Sequence, residues 1–139
     1  MKRALPFAPA AAWALVILGL GSLPELPIPT TLPLDKVAHF GMFAVLGSLI
    51  AFGLHRAHIA ASLAWPLLAG TLVGALDELH QRAVPGRSAE WADLVADIAG
   101  CAVALFLAHM ALERRAARTP DADPDDRARL ANHTQEHRA

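Results

Sequence analysis

The sequence predicts an all-α fold: a four-helix transmembrane bundle followed by a disordered C-terminal tail. Three observations carry that expectation. Apolar residues (AVILMFWYC) make up 55% of the 139 residues and charged ones 18%, against roughly 45–50% and about 25% in soluble domains. The apolar residues gather in four stretches, each near the roughly 17–25 residues that a spanning helix needs. The charges are unevenly spread, because residues 116–139 hold nine of them and one large aliphatic, Leu130, leaving sixteen for the first 115 residues. So much apolar surface exceeds what a small soluble core can hide, which argues against an ordinary soluble enzyme. A net charge of −1, with no Lys/Arg stripe beside exposed aromatics, argues against nucleic acid as a partner. The one cysteine, Cys101, excludes an intramolecular disulfide and a cysteine-clustered zinc site.

The first stretch, about Phe7 to Leu23, follows Lys2-Arg3 in the manner of a signal peptide. No A-x-A site ends it, so it is expected to remain as a span. Pro24-Glu25-Leu26-Pro27-Ile28-Pro29 alternates proline and reads as extended, polyproline-like backbone. The second span, Val37 to Leu54, is followed by a tight loop from His55 to Ile59. The third runs from Ala60 to about Leu79 and is stopped by Pro85-Gly86, with Ser88 as N-cap of the fourth, Leu94 to Leu112. A membrane domain of residues 1–115 thus precedes a cytoplasmic tail of residues 116–139 with too little apolar content to order itself. Gly70-x-x-x-Gly74 and Ala96-x-x-x-Gly100-x-x-x-Ala104 permit close helix packing, by default within the monomer and alternatively at a dimer seam. Trp65 and Trp91 fall near opposite interfaces, as an aromatic belt would place them.

Counting Lys and Arg near the helix ends sets the orientation. With the N-terminus inside, Lys2, Arg3, Arg56, Arg114, Arg115 and Arg118 are cytoplasmic, whereas Lys36, Arg82 and Arg87 are outside. Six against three predicts that both termini are cytoplasmic. The outer face then collects ten of the sixteen charges before residue 116: Glu25, Asp35, Lys36, Asp77, Glu78, Arg82, Arg87, Glu90, Asp93 and Asp97. Charges within a bilayer are expensive, so those that dip inward are candidates for function.

Helical spacing sharpens the picture. Asp35 and His39 are i,i+4 and Lys36 and His39 are i,i+3, so His39 sits one turn deeper beneath both. Glu78 and Gln81 share one face of the third helix. Asp97, four residues after Asp93, lies roughly 6 Å further into the bilayer. The candidate ligand-binding residues are therefore Asp35, Lys36, His39, Glu78, Gln81, Arg87, Asp93 and Asp97, around a polar pit about one turn deep.

Plainer readings stand beside that one. Asp35 can cap the second helix, and His39 can be an interior histidine donating to a carbonyl instead of one oriented by Asp35 or Glu78. Asp77 reads best as a solvated helix end, and Glu78 as the partner of a basic residue. Arg87 can anchor headgroups, or clamp a phosphate or an acidic side chain. Asp97 calls for a partner, Arg87 or Lys36, or else for a proton-carrying or ligand role. His39, Glu78, His80, Asp93 and Asp97 can be combined into a divalent-metal site, but no H-x-x-x-H or H-E-x-x-H spacing supports one. No metal and no cofactor is expected.

Asp35-Lys36-x-x-His39-Phe40, Glu78-x-x-Gln81 and Pro85-Gly86-Arg87, with Asp93 and Gly100, resemble the VanZ-like family of small membrane proteins over about residues 35–105. The resemblance implies a multi-pass protein of the bacterial cytoplasmic membrane. The founding member is associated with low-level resistance to the glycopeptide teicoplanin, and no catalytic mechanism comes with the name. The function expected is binding of a lipid-linked or anionic envelope component at the outer face, with membrane lipids or a lipid-linked cell-wall precursor as partners. Arg87 and Lys36 would contact the anionic group, the Glu78–Gln81 face would orient it, and His39 and Asp97 would form the deeper layer. One alternative is a membrane-embedded enzyme acting on a phosphoryl or acyl group of a lipid, with His39 as general base or nucleophile and Glu78 or Asp97 as its partner. A proton-coupled carrier and a purely structural module are the others.

Overall fold

The computed structural model describes residues 5–23, 34–59 and 62–118. Among them there are four helices and no strand. A single 3-10 turn, Leu5–Phe7, leads into α1, Ala8–Gly21, and then come α2, Leu34–Arg56, α3, Ala64–Gln81, and α4, Trp91–Arg118. The chain divides into two compact units, residues 1–109 and 110–139. The first holds α1, α2, α3 and the larger part of α4.

Length and hydropathy separate the helices. The 23 residues of α2 and the 25 of Trp91–Arg115 have mean hydropathies of 1.9 and 2.0 and are long and apolar enough to cross a membrane. At 1.5 Å per residue α2 rises about 35 Å, against a hydrocarbon core about 30 Å thick. The 14 residues of α1 rise only about 21 Å and the 18 of α3 about 27 Å. In addition, α3 carries Asp77, Glu78, His80 and Gln81 in its last turns.

The helix ends differ from those read off the sequence, each for a local reason. The second helix continues through His55 and Arg56. Its stop is a Schellman cap in which Ile59 N–H donates to Leu54 O at 3.0 Å and His58 N–H to His55 O at 3.1 Å. His58 takes the left-handed position with φ 53°, where glycine is usual. Ser88 is not the cap of α4. The amides of Asp93 and Leu94, in the first turn of α4, donate to Glu90 O, which makes Glu90 the capping residue. Residues 116–118, expected in the tail, complete α4. Ala116 and Ala117 favour helix, and Arg115 and Arg118 meet the negative end of its dipole. The Pro24–Pro29 stretch and residues 119–139 of the expected tail lie outside the described residues.

The bundle buries polar side chains next to an apolar core and turns many apolar ones outward. Phe43, Leu46, Ile17, Cys101 and Leu105 form the apolar core, but His39, Asp77, Glu78, Gln81, Asp93 and Asp97 are buried beside it. Large apolar side chains such as Leu15, Phe52, Leu72 and Leu107 point outward. Between helices in lipid the hydrophobic effect supplies little drive, so close packing and polar contacts must hold them. The glycines show where the packing is tightest. A Cβ on Gly100 would run into the Phe40 carbonyl oxygen and lie 3.1 Å from Ala44 N, and one on Gly47 would lie 2.8 Å from Cys101 O. The backbones of α2 and α4 therefore approach as only glycine allows. Gly70 and Gly74 of α3 instead make room for side chains of α4, those of Cys101 and Asp97. Trp13 Nε1 donates to Met42 O at 2.9 Å and ties α1 to α2.

Candidate functional site

The start of α2, the end of α3 and the start of α4 meet at one end of the bundle. Lys36, half-buried at the head of α2, places its ammonium 2.7 Å from Asp35, 2.6 Å from Glu90 and 2.8 Å from Asp93. Asp35 and Glu90 are exposed, so those two contacts are screened and individually worth about 0–1 kcal/mol. Asp93 is buried, and its Oδ1 faces the ammonium as an ion pair without the alignment of a hydrogen bond.

One turn deeper, His39 Nδ1 and Asp97 Oδ1 are 2.9 Å apart, with the side chains 6% and 0% exposed. Close packing at Gly74 makes room for Asp97, whose Oδ2 would be 3.0 Å from a Cβ added there. That oxygen has no hydrogen-bond partner among the described residues. His39 is thus oriented by Asp97, and not by Asp35 or Glu78 as its spacing suggests. Asp97 in turn is paired neither with Arg87 nor with Lys36. Asp35 lies in the first turn of α2, where its carboxylate accepts from Lys36 Nζ at 2.7 Å.

The last turn of α3 supplies the third wall. Asp77 is 1% exposed and accepts from Gln81 Nε2 at 2.9 Å, which corrects its reading as a solvated helix end. The i,i+4 spacing of Asp77 and Gln81 is the signal for it. Glu78 pairs with no base among the described residues. Its Oε2 accepts the Glu90 backbone N–H at 2.9 Å, stitching α3 to the head of α4, while Oε1 is buried with no hydrogen-bond partner among the described residues. After α3, Arg87 N–H donates to Val84 O at 3.2 Å, and Gly86 has φ 82°. Pro85-Gly86 thus sits in the central positions of a type II turn, where a positive φ at the second calls for glycine. This turn aims Arg87 at the end of α1: Nε donates to Leu23 O at 3.1 Å and Nη1 to Gln81 Oε1 at 3.4 Å. No carboxylate pairs with it among the described residues, so Arg87 straps α1 to α3 instead of clamping Asp97 or Glu78. Ser22 Oγ and His80 Nε2, 2.8 Å apart, make a second link between the same helices.

Beside Glu78 opens a cleft of about 240 Å³. Ala75, Leu79, Trp91 and Leu94 give it apolar walls, and Glu78, Glu90 and Arg82 give it polar ones. Arg82 forms no ion pair among the described residues, whereas Glu90 is answered by Lys36.

The model of the VanZ/LLP1 family matches residues 6–112. The chain belongs to the VanZ/LLP1 family. The match extends beyond the segment 35–105 on which the resemblance rests and takes in α1. No match was found among curated proteins or among solved structures. Membership in VanZ/LLP1, with two helices able to cross a bilayer, marks a membrane protein. In this VanZ/LLP1 chain Asp35, Lys36, His39, Glu78, Gln81, Arg87, Asp93 and Asp97 gather at one end of the bundle in two parts. Lys36 with its carboxylates forms an outer layer, and His39 with Asp97 an inner one.

Proposed function

We propose that this VanZ/LLP1 protein is a four-span protein of the bacterial cytoplasmic membrane that binds an amphiphile with an anionic headgroup, a lipid-linked envelope component, at the outer face. The cleft beside Glu78 carries the reading. Its apolar walls suit an acyl or prenyl chain, and Arg82 stands at its edge as a cation that no carboxylate among the described residues answers. Guanidinium binds phosphate or carboxylate through two parallel N–H donors. Lys36, expected to contact the anion, is held by three carboxylates, so the anionic contact falls to Arg82, with Arg87 fixing the loop beside it. In this reading α1 and α3 also cross the membrane, both termini are cytoplasmic, and the 82–90 loop is outside. A role in glycopeptide resistance would follow if the bound component were a cell-wall precursor.

The buried His39–Asp97 pair favours a second reading, an enzyme acting on a phosphoryl or acyl group, since carboxylate-oriented imidazoles serve as general bases. Binding does not need that pair to react, and its internal hydrogen bond serves the fold equally.

A cysteine at Ala89, a residue of the cleft wall, tests the reading. Ala89→Cys is expected to react with an impermeant maleimide in spheroplasts, with little background from buried Cys101. Purified in detergent, it is expected to react more slowly when phosphatidylglycerol, but not phosphatidylcholine, is added. Labelling that requires lysis would reverse the topology. Equal rates with both lipids would remove the headgroup preference.

A further inference from the structure

Three buried side chains from three helices converge with little positive charge to match them. His39 of α2, Glu78 of α3 and Asp93 of α4 are each at least nine-tenths buried, and one potential ligand atom of each lies within 4.8 Å of the other two. Asp97 takes the Nδ1 side of His39, which leaves Nε2 as the ring nitrogen open to a ligand. Glu78 Oε1 is buried with no hydrogen-bond partner among the described residues. The basic group at hand is Lys36, which touches Asp93 and is shared with Asp35 and Glu90. Carboxylates buried without a counter-charge are costly, because each ion taken out of water loses its hydration.

We propose that His39, Glu78 and Asp93 form a binding site for a divalent transition-metal ion. The donor set is one imidazole nitrogen and two carboxylates. Imidazole favours zinc and its neighbours and carboxylate favours manganese, so Mn²⁺ and Zn²⁺ are the ions it fits. Three protein ligands leave positions for water or a ligand oxygen. Asp97 on the far ring nitrogen supplies the carboxylate–histidine–metal relay that fixes ring orientation and raises the basicity of the ligand. The cleft lined by Glu78 gives the ion a way in. The ligands come from three separate helices, which is why no linear spacing in the sequence announces them. Asp35, Glu90 and Asp93 also approach one another, but the Lys36 ammonium already stands among them, so no ion is assigned there. This site does not depend on the lipid reading, since an ion can bind whether or not an amphiphile does.

The experiment uses the full chain in detergent, stripped with chelator and titrated with Mn²⁺ under electron paramagnetic resonance. One ion per chain is expected, displaced by Zn²⁺, with a nitrogen coupling from a single imidazole in the spin-echo modulation. Glu78→Gln and Asp93→Asn are expected to abolish binding. Asp97→Asn, acting through His39, is expected to weaken it about 10–100-fold. The spin-echo signature is read on the unaltered protein, so a variant that fails to fold does not blunt the test. Failure of both ions to bind, or bound Mn²⁺ without nitrogen coupling, would overturn the assignment. So would undiminished binding in a folded Glu78→Gln protein, checked by circular dichroism.

Discussion

His39→Ala is expected to destabilise the bundle by about 3–5 kcal/mol, because it leaves a carboxylate buried and unpaired. Asp97 is completely buried and its second oxygen already lacks a hydrogen-bond partner, so no group among the described residues stands ready to replace the imidazole. The reverse change is milder in principle. Asp97→Ala leaves an imidazole that can remain neutral, with the cost of an unsatisfied buried donor, about 1–3 kcal/mol. Asp97→Asn keeps an oxygen that can accept from His39 Nδ1 and should cost least. Thermal unfolding in detergent, with chelator present to exclude bound metal, reads the order His39→Ala, then Asp97→Ala, then Asp97→Asn. Equal, small losses across the series would show that the pair contributes little to the fold.

Gly100→Ala is the second large effect. The added methyl would meet the Phe40 carbonyl oxygen and lie 3.0 Å from the Phe40 carbonyl carbon. Backbone atoms cannot rotate aside as a side chain can, so α2 and α4 must separate. Overpacking of this kind costs about 1–3 kcal/mol and occasionally more, and it acts on the contact that positions His39 against Asp97. The control lies on the same helix pair: Gly41 has nothing within 4 Å of its added Cβ. Gly41→Ala should therefore be neutral or gain up to about 1 kcal/mol from helix propensity. Melting temperatures of the two variants measured side by side decide the matter, and a Gly100→Ala protein as stable as Gly41→Ala would contradict the close approach.

How much of the fold is legible in the sequence depends on which interactions are local. Helix existence rests on apolar runs, and each of the four runs holds a helix, although the third begins at Ala64 and not at the Ala60 expected. Their ends rest on capping chemistry, where local signals compete: His58 takes a position that glycine usually fills, and Glu90 caps α4 through its backbone although Ser88 has the better capping side chain. The gathering of polar residues at one end is readable from charge placement and helical spacing. Their partners are not, because partnership depends on how α2, α3 and α4 are rotated about their axes. Periodicity is weak where helices are apolar nearly all round. Hence spacing assigns His39 to its own helix or to α3, whereas its partner is on α4. Arg87, read as an anchor for headgroups or as a clamp on phosphate or an acidic side chain, donates among the described residues to a helix-end carbonyl and an amide. Asp77 reads as solvated from its place at a helix end, although its i,i+4 relation to Gln81 is as plain as that of Asp35 to His39.

The polar end of the bundle is held to be a binding site for an anionic amphiphile, and native mass spectrometry of the gently extracted protein addresses that most directly. The full chain is released from membranes into mild detergent and its bound mass identified by fragmentation. The expected result is an adduct with a phosphate- or carboxylate-bearing headgroup, retained in Lys36→Met and lost in a folded Arg82→Ala protein. A protein that carries no lipid, or an adduct of zwitterionic bulk lipid held equally by Arg82→Ala, would contradict the binding reading and leave the polar layer as a structural lock between helices.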